Sequence, residues 1–167
     1  MTRTLYPRPL TPEAFAPFGD VLSADGPPDR IINAGMCGRW HDRAQISLDD
    51  AGRAGISIFD AVPRALPYVF RLVERHPLGS QAFIPMTLNP FLVVVAPDDG
   101  GTPGTPVAFL TSPGQGINLH RNTWHGVLTP LNSPGLFAVI DRVGAGNNLQ
   151  EFTYPEDWTV RGPADPA

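Results

Sequence analysis

Proline and glycine interrupt this chain so often that long helices are excluded before any other feature is weighed. Seventeen glycines and twenty prolines fall among 167 residues. Glycine costs a helix backbone entropy, and proline removes a donor and clashes with the preceding turn. Between these breaks lie short runs rich in β-branched and aromatic residues, at 55–61, 69–73, 82–84, 91–96, 107–110 and 136–142. Turn signals recur roughly every ten residues, the spacing of an all-β barrel or double-sheet sandwich. The run Phe91-Leu92-Val93-Val94-Val95-Ala96 has no polar member, which predicts a strand buried on both faces. One segment reads as a short N-terminal helix, about 11–19. Thr11 offers an N-cap, Pro12 suits the first helical position, Gly19 ends the segment, and Phe15 and Phe18 pack it on the domain edge.

The length fits a single domain over 1–167, with a C-terminal arm at about 151–167 that frays after Arg161. Hydrophobic residues at 42% and charged residues at 17% exclude disorder. A net charge of −4 without a basic run argues against a nucleic-acid partner. The one cysteine, Cys37, forbids an intrachain disulfide and fits a reducing cytoplasm. No apolar leader opens the sequence and nothing approaches membrane-spanning length, so the expectation is a cytoplasmic protein with no membrane partner.

Two polar stretches stand out from this apolar background. In the first, Glu74 and His76 share one face of an extended segment while Arg75 points to the other, just before the Pro77–Gly79 turn. A buried carboxylate and imidazole need a partner or a metal. The second stretch gathers Asn118, His120, Arg121, Asn122, Trp124 and His125 within about ten residues of strand context. Asn33, directly after two isoleucines, is a further ligand-contact candidate. His41 beside Asp42 reads as surface or structural, because neighbours in a strand face opposite sides. Cys37 is a small turn residue.

Glu74, His76, Gln81 and His125 together resemble the ligand positions of a cupin, a double-sheet jelly-roll barrel. Glu74 stands where the first histidine of that fold's first motif usually is, and Gln81 stands at the usual glutamate. A closer resemblance runs through three blocks. Glu74-Arg75-His76-Pro77-Leu78-Gly79-Ser80-Gln81-Ala82-Phe83-Ile84-Pro85-Met86 is similar to the signature of ureidoglycolate lyases. Gly116-Ile117-Asn118-Leu119-His120-Arg121-Asn122-Thr123-Trp124-His125 resembles that family's second block, and Ile140-Asp141-Arg142 a third. The resemblance implies a cupin barrel, a homodimer, and release of urea from ureidoglycolate in allantoin breakdown. It also implies a divalent metal such as nickel.

That reaction sets requirements. Ureidoglycolate carries a hydroxyl, a carboxylate and a ureido nitrogen on one carbon. Cleaving its C–N bond needs a base for the hydroxyl proton and an acid for the departing urea nitrogen. The candidates for proton transfer are His120 and His125, with Glu74 as the alternative base. Arg75 and Arg121 are candidates for holding the carboxylate; Arg75 qualifies only if a twist or bulge turns it inward. Gln81, Asn118 and Asn33 are candidates for the remaining polar contacts. His76, Gln81 and His125 are the tentative metal ligands, although an amide in place of a charged ligand weakens such a set. Two other readings remain open at this stage, a non-catalytic small-carboxylate sensor and a different metal-dependent cupin enzyme.

Overall fold

A computed structural model describes residues 3–162. Its strands form two facing antiparallel-rich sheets, the jelly-roll arrangement of a cupin-type barrel. The larger sheet runs Arg3–Leu5, Gln150–Val160, Tyr68–Arg75, Trp124–His125, Phe91–Ala96, Val107–Leu110 and Arg8–Pro9, with Thr129–Pro130 also paired to Phe91–Ala96. The smaller runs Gly19–Leu22, Gly116–Leu119, Gln81–Pro85, Leu136–Val143 and Arg53–Asp60. A separate hairpin joins Arg30–Ile32 to Cys37–Arg39.

Side-chain alternation explains how the sheets share a core. Phe83, Ile117, Leu119, Phe137 and Val139 of the smaller sheet meet Phe91, Val93, Val95 and Phe109 of the larger one. Leu92, Val94 and Ala96 point the other way, into a second cluster with Phe70, Val73, Trp124, Tyr154, Trp158 and Val160. Both faces of Phe91–Ala96 are therefore covered, as its unbroken apolar run predicts.

Two boundaries differ from the sequence reading. The helix expected over 11–19 is a single turn, Pro12–Phe15, capped by the Thr11 hydroxyl, which accepts from the Ala14 N–H at 3.2 Å. Gly19 opens a strand instead, in register with Leu119. The segment read as an arm from 151 is mostly the strand Gln150–Val160, which fills the place between Arg3–Leu5 and Tyr68–Arg75. Its aromatic residues Tyr154 and Trp158 are buried in the second cluster, which is why it pairs rather than wraps. Residues 163–167 of the expected arm, like 1–2 of the expected domain, lie outside the described residues.

Candidate metal centre and a second polar cavity

Register brings the first site together. His125 lies directly opposite Glu74 across the Trp124–His125 and Tyr68–Arg75 pairing, and opposite Val95 on its other side. Directly paired residues share a face, so Glu74 and His125 both point toward the core that Val95 fills. His76 follows the strand by one residue and swings its Nε2 to 3.8 Å from Glu74 Oε1. Its ring centroid is 5.2 Å from that of His125. One ligand atom from each of Glu74, His76 and His125 falls within 4.8 Å of the others, a spacing that suits a single metal ion.

Hydrogen bonding sets how these side chains are presented. His76 Nδ1 lies 2.7 Å from the Asn148 carbonyl, and His125 Nδ1 lies 3.0 Å from the Gly126 carbonyl. A carbonyl only accepts, so Nδ1 carries the proton in both rings and Nε2 is left a bare acceptor. Both Nε2 atoms are buried without a hydrogen-bond partner among the described residues. Two orphaned imidazole acceptors beside a carboxylate fit a divalent cation better than a protein hydrogen-bond network. Burial also pushes the His125 imidazole down to about 4, outweighing its Gly126 bond, so the ring is neutral at neutral pH. Burial pushes the Glu74 carboxyl up.

Gln81 lies on the smaller sheet, opposite Leu119, and is 7% exposed. Its Nε2 donates to Asp141 Oδ2 at 3.2 Å, while its Oε1 is a third buried acceptor with no partner. The three tentative metal ligands, His76, Gln81 and His125, are thus three of the orphaned side-chain acceptors of the described residues.

The second polar stretch is divided between the two sides of its strand. Ile117 and Leu119 enter the core, whereas Asn118 pairs with Asp20 and faces outward. His120 Nε2 lies 3.1 Å from Asp20 Oδ1, and Asn118 Nδ2 donates to Asp20 Oδ2 at 2.9 Å and to the Gln45 carbonyl at 3.1 Å. Asp20, Gln45, Ser47, Ser80, His120 and Arg121 line a cavity of about 340 Å³ there. Arg121 spends Nε and Nη2 on the Pro77 carbonyl, at 3.2 and 3.0 Å. His120, Asn118 and Arg121 therefore gather in a place of their own, apart from Glu74 and His125.

Two substrate candidates stand away from both places. Arg75 is held on the opposite face, bonded to Asp98 and Gln150 at 2.7 Å each and lying 4.3 Å over the Trp124 ring. Strand alternation wins, as no bulge turns it inward. Asn33 is exposed at the hairpin end, in the left-handed region at φ 54°.

Sequence reasoning missed Asp20, Asn148 and Asp141. Asn148 lies in a short Gly/Asn-rich stretch with no other signal of a role, yet its carbonyl orients His76 and its Oδ1 accepts the Leu78 N–H at 2.7 Å.

Comparison with known proteins adds an independent finding. The family model described as ureidoglycolate lyase matches residues 2–161. A "Ureidoglycolate lyase" of Rhodobacter capsulatus is 61% identical over 154 residues, 92% of this chain and 96% of that protein. A "Ureidoglycolate lyase" of Chelativorans sp. is 50% identical over 162 residues, 96% of this chain and 98% of that protein. "Ureidoglycolate lyase 2" of Rhizobium meliloti is 53% identical over 154 residues, 92% and 94% of the two chains.

Proposed function

The chain belongs to the ureidoglycolate lyase family, and on that premise we propose that its barrel eliminates urea from (S)-ureidoglycolate to give glyoxylate, with Glu74, His76 and His125 at the reacting centre. The observation that carries the placement is the pair of buried, partnerless Nε2 atoms facing Glu74. The reaction belongs to purine nitrogen breakdown through allantoin, and the free Cys37 thiol suits a cytoplasmic setting.

The protein's own groups divide the work as follows. Glu74 takes the hydroxyl proton: burial raises its proton affinity while leaving it beside His76. The O–H electron pair becomes the new carbonyl of glyoxylate as the C–N pair leaves with urea. The proton returned from Glu74 neutralises the departing nitrogen, so no water is consumed. His125 stays neutral and acts as an acceptor rather than an acid. A divalent cation such as nickel would be held by His76 and His125, with Gln81 Oε1 as the third protein ligand so that Glu74 stays free as the base, and would supply Lewis acidity toward the substrate's hydroxyl and carboxylate oxygens.

A second reading has its own observation. The His120–Asp20 pair shares its cavity with Arg121, a base and a carboxylate anchor in one place. In that reading His120 takes the hydroxyl proton, Asp20 orients the imidazole, and Arg121 and Asn118 hold the substrate. His120→Gln separates the two, since it silences only the second.

The quaternary state we propose is a homodimer built on the outer face of the smaller sheet. Ile56, Ile58 and Ile84 stand 76%, 60% and 38% exposed there. A second copy offers the same apolar, self-complementary strip, which a two-fold interface requires.

The assay is direct. Purified protein given racemic ureidoglycolate releases urea and glyoxylate in equal amounts and leaves the (R)-enantiomer. Glyoxylate at the spontaneous rate, with and without added nickel or manganese, sinks the lyase reading. Unchanged turnover after complete chelation removes the metal and leaves the acid–base steps.

A further inference from the structure

We propose that Asp141 is a positioning residue that fixes the orientation of the Gln81 amide, so that its carbonyl oxygen rather than its NH₂ is offered as a metal ligand. The proposal rests on the metal reading above and adds a residue to it.

An amide ligand has a problem that imidazole and carboxylate do not share. Its two ends are nearly the same size but opposite in function, and only the oxygen binds a cation. Rotation of Gln81 by half a turn about its last bond would put two N–H donors where an acceptor is needed. Something must choose the orientation. Gln81 Nε2 lies 3.2 Å from Asp141 Oδ2. A carboxylate only accepts, so it selects the NH₂ and leaves Oε1 on the other side, buried and partnerless.

Geometry supports the pairing. Ile140 is in register with Ala82 on the adjacent strand, which sets Asp141 beside Gln81. Phe137, Val139 and Phe83, at alternate positions of the same two strands, all enter the core between the sheets. Asp141 and Gln81 continue those two rows toward the end of the barrel where the Pro77–Gly79 turn carries His76.

The same device appears at four side chains. The Asn148 carbonyl takes the N–H of His76, the Gly126 carbonyl takes that of His125, Asp141 takes that of Gln81, and, away from this centre, Asp20 takes that of Asn118. In each case an acceptor-only oxygen consumes the donor end and leaves a buried acceptor bare. What sets the centre apart from Asn118 is that two of its bare acceptors, His76 Nε2 and His125 Nε2, lie with a Glu74 oxygen within 4.8 Å of one another. Outer partners that orient ligands in this way typically govern metal affinity by 10- to 100-fold.

The test uses the full-length protein stripped with chelator and titrated with Co²⁺, read by its visible absorption bands, with Ni²⁺ affinity measured by calorimetry. Asp141→Asn presents both a donor and an acceptor, so Gln81 is free to turn; affinity falls by about 10- to 100-fold. Asp141→Asn combined with Gln81→Glu restores affinity to within a few-fold of wild type, because a carboxylate at 81 accepts from the new amide and has no wrong end. Gln81→Leu, which does not depend on residue 141 for its meaning, loses affinity and alters the cobalt bands. Wild-type affinity in Asp141→Asn or in Gln81→Leu overturns the proposal. So does loss in Asp141→Asn that the double variant fails to restore, which marks a merely structural role. A wild-type protein that takes up no cobalt overturns the metal reading itself, an outcome visible before any variant is made.

Discussion

His125 and Glu74 face each other across one antiparallel pairing, although 50 residues of chain separate them. Each belongs to a different polar stretch, and the strand pairing delivers both to the same side of the larger sheet. His76 then closes the set from the turn that follows Glu74.

The reaction proposed for this arrangement gives Glu74 and the imidazoles separable roles. Glu74→Gln keeps a side chain of the same shape but removes the base. It should lower kcat by at least about 100-fold, within the range expected for general-base loss, while leaving Ni²⁺ affinity within a few-fold. Glyoxylate release and calorimetry on the same preparation check it. Activity and affinity falling together would make Glu74 a ligand instead. His76→Gln and His125→Gln should abolish tight metal binding.

The pairing also shows how far the sequence could be read. Alternation along 69–76 correctly placed Glu74 and His76 on one side and Arg75 on the other, because local backbone geometry decides that. The apolar run at 91–96 likewise announced its burial. Alternation could not show that Asn118 lies on the smaller sheet, with His120 just past its strand end, while His125 lies on the larger: the chain turns between them at 120–123, where Asn122 takes a positive φ. Nor could it find Asp20, whose meaning comes only from the cross-strand pairing with Asn118. The segment from 151 looked like an arm because Pro155 breaks its pattern. Trp158 resumes the pairing after a register shift, and that shift is a tertiary event.

Acid should destabilise the metal-free protein through His125. Its folded value of about 4 lies below the unfolded value of ~6.5. Between these the unfolded chain binds the more protons, so stability falls as pH drops from about 6.5 toward 4, by roughly 3 kcal/mol at most. Above pH 6.5 the group contributes nothing. Glu74 acts with the opposite sign: its raised folded value costs stability at neutral pH and returns it as the carboxyl protonates. Denaturant unfolding of chelator-treated protein at pH 7.5, 6 and 5 checks both. His125→Asn should flatten the acid-side loss, and Glu74→Gln should steepen it.

The exposed isoleucines test the proposed homodimer. Ile56→Lys with Ile58→Lys puts two charges on the outer face of the smaller sheet, where both positions are already solvated in a single chain. Folding of one chain should change by no more than about 0.5 kcal/mol per site. Light scattering should nevertheless report half the wild-type mass. A wild-type protein that already runs as one chain refutes this interface.

Gly19 supplies the final test, because it joins stability to the choice between the two sites. A Cβ there would run into the Asn118 carbonyl and come within 2.9 Å of the Phe15 ring. The carbonyl is backbone within a paired strand and cannot yield cheaply, so Gly19→Ala should cost about 1–3 kcal/mol. At about 2–4 °C per kcal/mol for a chain of this size, the melting temperature should fall by several degrees. The strain falls directly beside Asp20, which holds both Asn118 and His120. Glu74 and His125 lie on the other sheet, paired through strands that Gly19 does not touch. Measured well below the melting temperature, kcat of Gly19→Ala should therefore remain within about threefold of wild type if the reaction occurs at Glu74. A loss of tenfold or more in soluble, folded protein, matched by His120→Gln, would move the chemistry to the outer cavity.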